Sequence, residues 1–287
     1  VNTITGSASD VNSVYESSGI TNLGNAAVTL SGTNTVSQVN SIAVSMFLAN
    51  PLTPGLLTAT ISDNDINTLS GISESGNALT ITITDASVDA SALTAIDAKT
   101  SVAVNVNTTT ITGTAAQVNV VYEANTAGTI TGLGSEAITI SDTSIDASAL
   151  KTLDTFTTGT VNASSVNTIT GSASDINRIY ASSGIANLGN ALTITLTDTS
   201  VNASDLIALD ALTTDIIDAS TIKTLIGLVS DKATAWISNG ITGLPTPLLK
   251  IGSDIDGKSA FDEFGSSISL SGDGSFVAIG AGYGDSN

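Results

Sequence analysis

Apolar and polar residues alternate in short stretches along most of the chain, and each stretch then gives way to a helical rhythm. The pattern Thr-[Ile/Leu]-x recurs nine times at about 28-residue spacing, with Ile4, Leu30, Ile61, Ile83, Ile111, Ile140, Ile169, Leu196 and Leu225 as its central apolar residue. In residues 192–197 the apolar positions alternate with threonine, which is the signature of a strand with one buried face. The following segments change period. Val11, Val14 and Tyr15 return as Val118, Val121 and Tyr122 and as Ile176, Ile179 and Tyr180, an i, i+3, i+4 face. Leu93 with Ile96, Leu150 with Leu153 and Leu206 with Leu209 do the same over a shorter stretch. Serine and aspartate ahead of these faces, as from Ser172 to Asp175, predict N-caps, and Gly19 and Gly184 predict glycine C-caps. The expected unit is strand, turn, helix.

The repeat is double. VNTITGSASDVNSVYESSGITNLGN at position 1 returns as VNTITGSASDINRIYASSGIANLGN at 166, with a relative at 109; these are odd coils. Even coils start at 79, 137 and 192, and Asp85, Asp142 and Asp198 mark a long repeat of 57 and 56 residues. A unit of fixed period buries its apolar side only by stacking on its neighbours. The prediction is an α/β repeat solenoid of about nine strand-helix coils over residues 1–244, with a parallel sheet on one side and helices on the other. Its architecture resembles that of leucine-rich-repeat proteins, without their LxxLxLxxN consensus; a β-solenoid whose short helices are loops is the alternative. The NPLTPGLL segment from Asn50 reads as a loop bulging from one coil. Tyr15, Tyr122, Tyr180 and Trp236 share one repeat position and are expected to complete the buried helix face rather than to stack on sugars. Lys232 stands where Ile176 is apolar, which marks the last coil as a cap.

Composition removes most enzyme chemistry. With no cysteine and no histidine there is no thiolate nucleophile, no Ser-His-Asp triad and no Cys/His zinc site. Seven basic residues against 26 acidic ones give a formal net charge of −19, and Arg178 is the lone arginine, read as a solvated helix residue. A nucleic-acid binder and an anionic membrane surface both require Lys/Arg, so neither is an expected partner. No apolar stretch reaches the length of a membrane span; the nearest, around residues 42–57, is broken by Pro51 and Pro54.

At LPTPLLK the character changes. Residues 245–250 read as a linker, and residues 251–287 resemble the FG-GAP repeat of integrin-like β-propellers. Phe264-Gly265 opens the motif, residues 267–270 and 276–279 alternate as two strands around a Gly-Asp-Gly turn, and Gly280-Ala281 closes it. Gly282 stands where that motif has proline, and SGDGS is too short for its calcium loop. Asp254, Asp256 and Asp262 form a separate acidic cluster that could offer oxygen ligands to Ca²⁺, short of the six to eight that a full site needs. No other cofactor, and no catalytic or metal-binding residue set, is expected. One blade does not make a propeller, so the sequence reads as a piece of a longer chain.

Three functions fit unequally. The combination resembles giant repetitive surface proteins of marine bacteria, including cyanobacteria, which implies an extracellular or cell-surface structural or adhesive segment. It would act as a stalk or multivalent scaffold toward matrix components, glycans or like chains. The second reading is ice binding through two outward threonine rows: Thr3 and Thr5, Thr29 and Ser31, Thr82 and Thr84, Thr110 and Thr112, Thr139 and Ser141, Thr168 and Thr170, Thr195 and Thr197. The third, a polysaccharide-active enzyme, would need paired carboxylates at a cleft. Asp85, Asp142 and Asp198 instead occupy one repeat position each, as coil-end caps do.

Overall fold

The computed structural model describes residues 2–189 and 192–245, together with the backbone of strands Phe264–Leu270 and Val277–Ala281. The chain divides into two compact units, Val1–Pro245 and Thr246–Asn287.

The first unit is α/β with parallel strands. Among the described residues nine segments are helical: Ala8–Glu16 (α1), Val36–Ala49 (α2), Ile66–Leu69 (α3), Ala90–Asp97 (α4), Ala115–Ala127 (α5), Ala147–Phe156 (α6), Ala173–Ala181 (α7), Ala203–Asp210 (α8) and Val229–Ile237 (α9). Each starts where a short polar side chain accepts a helix-start amide, except α9. Ser7, Ser172 and Thr114 serve the odd type, and Asp89, Asp146 and Asn202 serve the even type. Thr35 and Thr114 complete capping boxes with Gln38 and Gln117, which occupies a second orphan amide at each helix start. The expected C-caps differ. Helices α1 and α7 end on Ser17 and Ser182 with extended backbone, two residues before Gly19 and Gly184; the left-handed glycine cap is found on α5, at Gly128.

The strands depart from the one-per-coil expectation. Two strands lie between α4 and α5 (Val104–Val106 and Thr110–Gly113), and three between α7 and α8 (Ile185–Ala186, Thr193–Leu196 and Ser200–Asn202). They belong to several parallel sheets rather than one. Ile4 faces Val28, Ile111 lies between Val88 and Ile138, and Ile169 between Ile145 and Ile194. Leu30, Ile140 and Leu196, expected to continue the isoleucine row, face Gly6, Gly113 and Gly171 instead. The slip is two residues, so the same side chains stay inward.

Ladder and helix advance at different rates. Ile145, Ile169, Ile194, Ile217 and Ile241 are successive partners 23 to 25 residues apart, whereas α6, α7, α8 and α9 begin 26, 30 and 26 residues apart. The ladder that starts directly before α6 therefore ends directly after α9, and the long even-type connections insert a strand that starts the next ladder.

Two repeated motifs fit each other across this stack. The TITG glycines Gly113 and Gly171 have φ of 148° and 149°, and a Cβ on them would lie 3.2 Å and 3.0 Å from the Cβ of Ala90 and Ala147. Those alanines belong to the Val/Ile-Asp-Ala-Ser motif of the preceding even-type unit. One continuous apolar core runs from Ala8 to Ile241, built mainly on inward Ile, Leu and Val of the first unit's strands and helices, with Ala235 alone from α9. Each fully buried Ile or Leu contributes about 1.5–3 kcal/mol relative to exposure. The Asn50 loop is exposed as expected, with Leu52 92% accessible, and is fixed at its base by Asn50 Nδ2 donating to the Thr53 carbonyl at 3.0 Å. The last unit is not polar on its outside. Leu228 and Val229 at the start of α9 and Ile237 at its end are exposed, and Lys232 is half-buried.

In the second unit Phe264–Leu270 and Val277–Ala281 pair antiparallel, Ile268 facing Ile279 and Leu270 facing Val277. The turn at 271–276 and the acidic cluster of Asp254, Asp256 and Asp262 lie outside the described residues.

Candidate functional site

The outward side chains of the ladders are the surface that a partner meets, and they do not form two threonine rows. One row reads Asp146, Thr170, Thr195, Asp218, Thr242; another reads Asp89, Thr112, Thr139, Asn162, Ala186. Near the start Thr5, Thr29 and Thr58 stand in line, and Ala78 ends the row. Threonine occupies at most three successive positions in these rows, because the extra strands bring Asp and Asn into register with it.

The aspartates singled out by the long repeat act between units. Asp142 Oδ2 accepts the Ala115 amide at 2.7 Å, Asp198 Oδ2 the Ala173 amide at 2.7 Å and Asp85 Oδ2 the Ile66 amide at 2.8 Å. Each amide is the first of a helix in the preceding unit, where the helix dipole also favours a negative charge. Asp63 does the same for Val36 at 2.6 Å, a fourth member that sequence reasoning missed because TISD63 precedes the irregular α3. A second series points the other way. Asp154 and Asp210, near the ends of α6 and α8, accept from Ser182 Oγ at 2.6 Å and Ser238 Oγ at 2.7 Å in the following odd-type unit. Asp97 receives Thr129 Oγ1 at 2.9 Å. Even-type units thus extend one carboxylate backward and one forward. Replacing Asp142 with alanine is expected to cost about 0.5–2 kcal/mol, the range of a lost helix cap, while asparagine keeps an acceptor and most of the stability. Urea unfolding of the two variants checks this; equal midpoints would show that Asp142 caps nothing of consequence.

Local hydrogen bonds set other carboxyls. Ser91 and the amides of Ser91 and Ala92 hold Asp89 below the ordinary carboxylate range. Lys151 Nζ, at 2.7 Å, does so for Asp175, with Ser172 assisting. Arg178 is exposed.

Of the four aromatics at one repeat position, Tyr122 is buried and stacks on Phe156 with ring centroids 4.8 Å apart, while Tyr15, Tyr180 and Trp236 pack half-buried against the core. Tyr122 Oη donates to Glu136 Oε1. Glu136 is 3% exposed, and its Oε2 accepts the amides of Gly134 and Ser135 at 2.8 and 3.0 Å. Burial, then the Glu136 hydrogen bond and charge, push the Tyr122 hydroxyl well above the usual tyrosine range.

Two shallow grooves flank α2. One, of about 260 Å³, is lined by Met46, Phe47, Pro54, Leu56 and Glu74; the other by Tyr15, Ile20, Leu23 and Leu48. Neither groups carboxylates for hydrolysis; Asp142 and Asp146 line a third groove, where they accept the helix-start amides of Ala115 and Ser148. Among the described residues no three acidic side chains gather as metal ligands, and no helix is long and apolar enough to cross a membrane. Comparison with family models, with curated proteins and with solved structures returns no match.

Proposed function

We propose that the chain is a repeat solenoid, leucine-rich-repeat-like in alternating parallel strands with helices, and that it serves as a structural or adhesive segment of a large extracellular surface protein. The observation that carries this is the commitment of the repeat aspartates to neighbouring units. Asp63, Asp85, Asp142 and Asp198 each bind a helix-start amide, so the carboxylates that recur with the repeat are engaged in joining units. An acidic chain with few cations stays dispersed, and weak contacts repeated along the coils add by avidity. Its partners are matrix components, glycans or like chains.

The test uses beads carrying the protein at high and low density over immobilised acidic and neutral polysaccharides. Retention that rises steeply with density, with no sugar release, supports the reading. Turnover of a polysaccharide would replace it with the enzyme reading. Ice binding gains nothing from the rows described above, since Asp89, Asp146, Asn162 and Asp218 interrupt them.

A further inference from the structure

The first 25 residues and residues 166–190 are identical at 20 positions, and their described parts share details of backbone: Asn22 and Asn187 both sit in the left-handed region, at φ of 61° and 60°. The second copy is covered by the even-type unit of residues 137–165. Asn167 and Thr168 donate to the Thr143 carbonyl at 2.8 and 3.1 Å, and Ile169 faces Ile145 and is fully buried. Gly171 abuts Ala147, Ser182 Oγ donates to Asp154, Lys151 pairs with Asp175, and Ile185 pairs with Val161.

In the first copy the same groups are present without that cover. Ile4 is half-buried, Ile20 is 43% exposed, and a Cβ on Gly19 would meet nothing nearer than Ser17 Oγ at 3.8 Å. At Gly184 the same Cβ would fall 1.9 Å from Asp154 Oδ1. Ser17 Oγ accepts the Gly19 amide at 3.3 Å, as Ser182 Oγ accepts that of Gly184 at 3.1 Å, so the serine turn that receives Asp154 in the second copy is already formed in the first.

We infer that the outer face of the N-terminal unit is a docking surface for an even-type unit, a polypeptide segment of the class of residues 137–165. The occupant presents a Ser-Ile-Asp strand to Thr3, Ile4 and Thr5, an alanine to Gly6, a carboxylate to Ser17 and Gly19, and a lysine to Asp10. A second copy of the described residues offers no free even-type face, because α4, α6 and α8 each lie between two neighbours. The internal repeat alone carries this docking, whether or not the chain is adhesive.

The test places residues 137–165 directly ahead of Val1, reproducing the Ser165–Val166 junction, on the full chain. Hydrogen exchange of the Asn2 and Thr3 amides is expected to slow at least tenfold, on the order of 1.4 kcal/mol of added protection. Gly19→Ala leaves the unextended chain as stable as before and reduces the slowing in the extended one, because its methyl displaces the incoming carboxylate from Ser17. An odd-type insert, residues 109–136, is expected to give no slowing. Unchanged exchange with the even-type insert, equal protection by the odd-type one, or indifference to Gly19→Ala would each overturn the inference. So would a concentration-dependent dimer of the unextended chain that protects Asn2 and Thr3, which would make a second copy the occupant.

Discussion

Gly171→Ala is expected to lower stability by about 2–4 kcal/mol, and Ala147→Gly in the same chain to return part of that loss. Two separable effects act. At φ of 149° an L side chain is strained, which costs about 1–3 kcal/mol. The new methyl would also stand 3.0 Å from the Ala147 Cβ, closer than two carbons pack, and overpacking of this kind costs about 1–3 kcal/mol. Ala147→Gly relieves the second effect alone, at about 0.5–1 kcal/mol for glycine in the first turn of α6. The double variant should therefore be less destabilised than the sum of the two single ones by about 1–2 kcal/mol. Urea unfolding of the four proteins of this cycle measures the coupling. Strict additivity would mean that Gly171 and Ala147 do not touch in a way that matters, and would leave the joint recurrence of the two motifs without a steric cause.

That pairing also marks where sequence reading stops. Helices were legible because capping residues such as Ser172 and faces such as Ile176 with Ile179 are local signals. Core residues were legible too, even with the wrong partners assigned. A strand slipped by two keeps the same side inward, so Ile140 and Leu196 are buried although each faces a glycine. The short strands at Ser87–Asp89, Ser144–Asp146 and Ser200–Asn202 were missed for a physical reason. Each has one inward residue, Val88, Ile145 or Val201, so no alternation of period two exists to be seen. Without them the threonine rows looked continuous. The repeated aspartates were visible as a pattern, but their targets were not, since Asp142 reaches an amide 27 residues back and only the stacking brings them together. Gly184 stands where a helix-capping glycine would, but its lack of a side chain makes room for Asp154.

One buried group did leave a signal in the sequence. Counting back from the repeat aspartates Asp85, Asp142 and Asp198, Glu136 occupies the position of Leu79 and Leu192, both buried. A carboxylate in a leucine's place requires hydrogen-bond donors on every side, and it has them: Tyr122 on one oxygen, two backbone amides on the other. Tyr122→Phe removes a hydrogen bond to a buried charge and is expected to cost about 1.5–3 kcal/mol at neutral pH. The same variant should alter the alkaline limb. An unfolded tyrosine releases its proton near pH 10, whereas folded Tyr122 retains its proton well beyond that. Below about pH 10 its contribution is fully present; above it the unfolded state binds fewer protons, so stability falls as pH rises. Tyr15 and Tyr180 are raised by burial as well, so the slope is shared, and Tyr122→Phe should flatten it without abolishing it. Glu136→Gln gives the complementary result. If its amide oxygen serves Gly134 and Ser135, its NH₂ faces Tyr122, which can accept from it only by turning its own hydroxyl hydrogen toward Thr157; the reverse orientation sets NH₂ against two N–H groups. Either way the hydrogen bond from Tyr122 to a carboxylate is lost, at about 1.5–3 kcal/mol, despite the removal of a buried charge. Urea midpoints of the three proteins from pH 7 to pH 11.5 decide the matter. A glutamine variant as stable as the parent, or an alkaline slope unchanged by Tyr122→Phe, would show that the pair is a tolerated substitution in the core rather than a satisfied polar network.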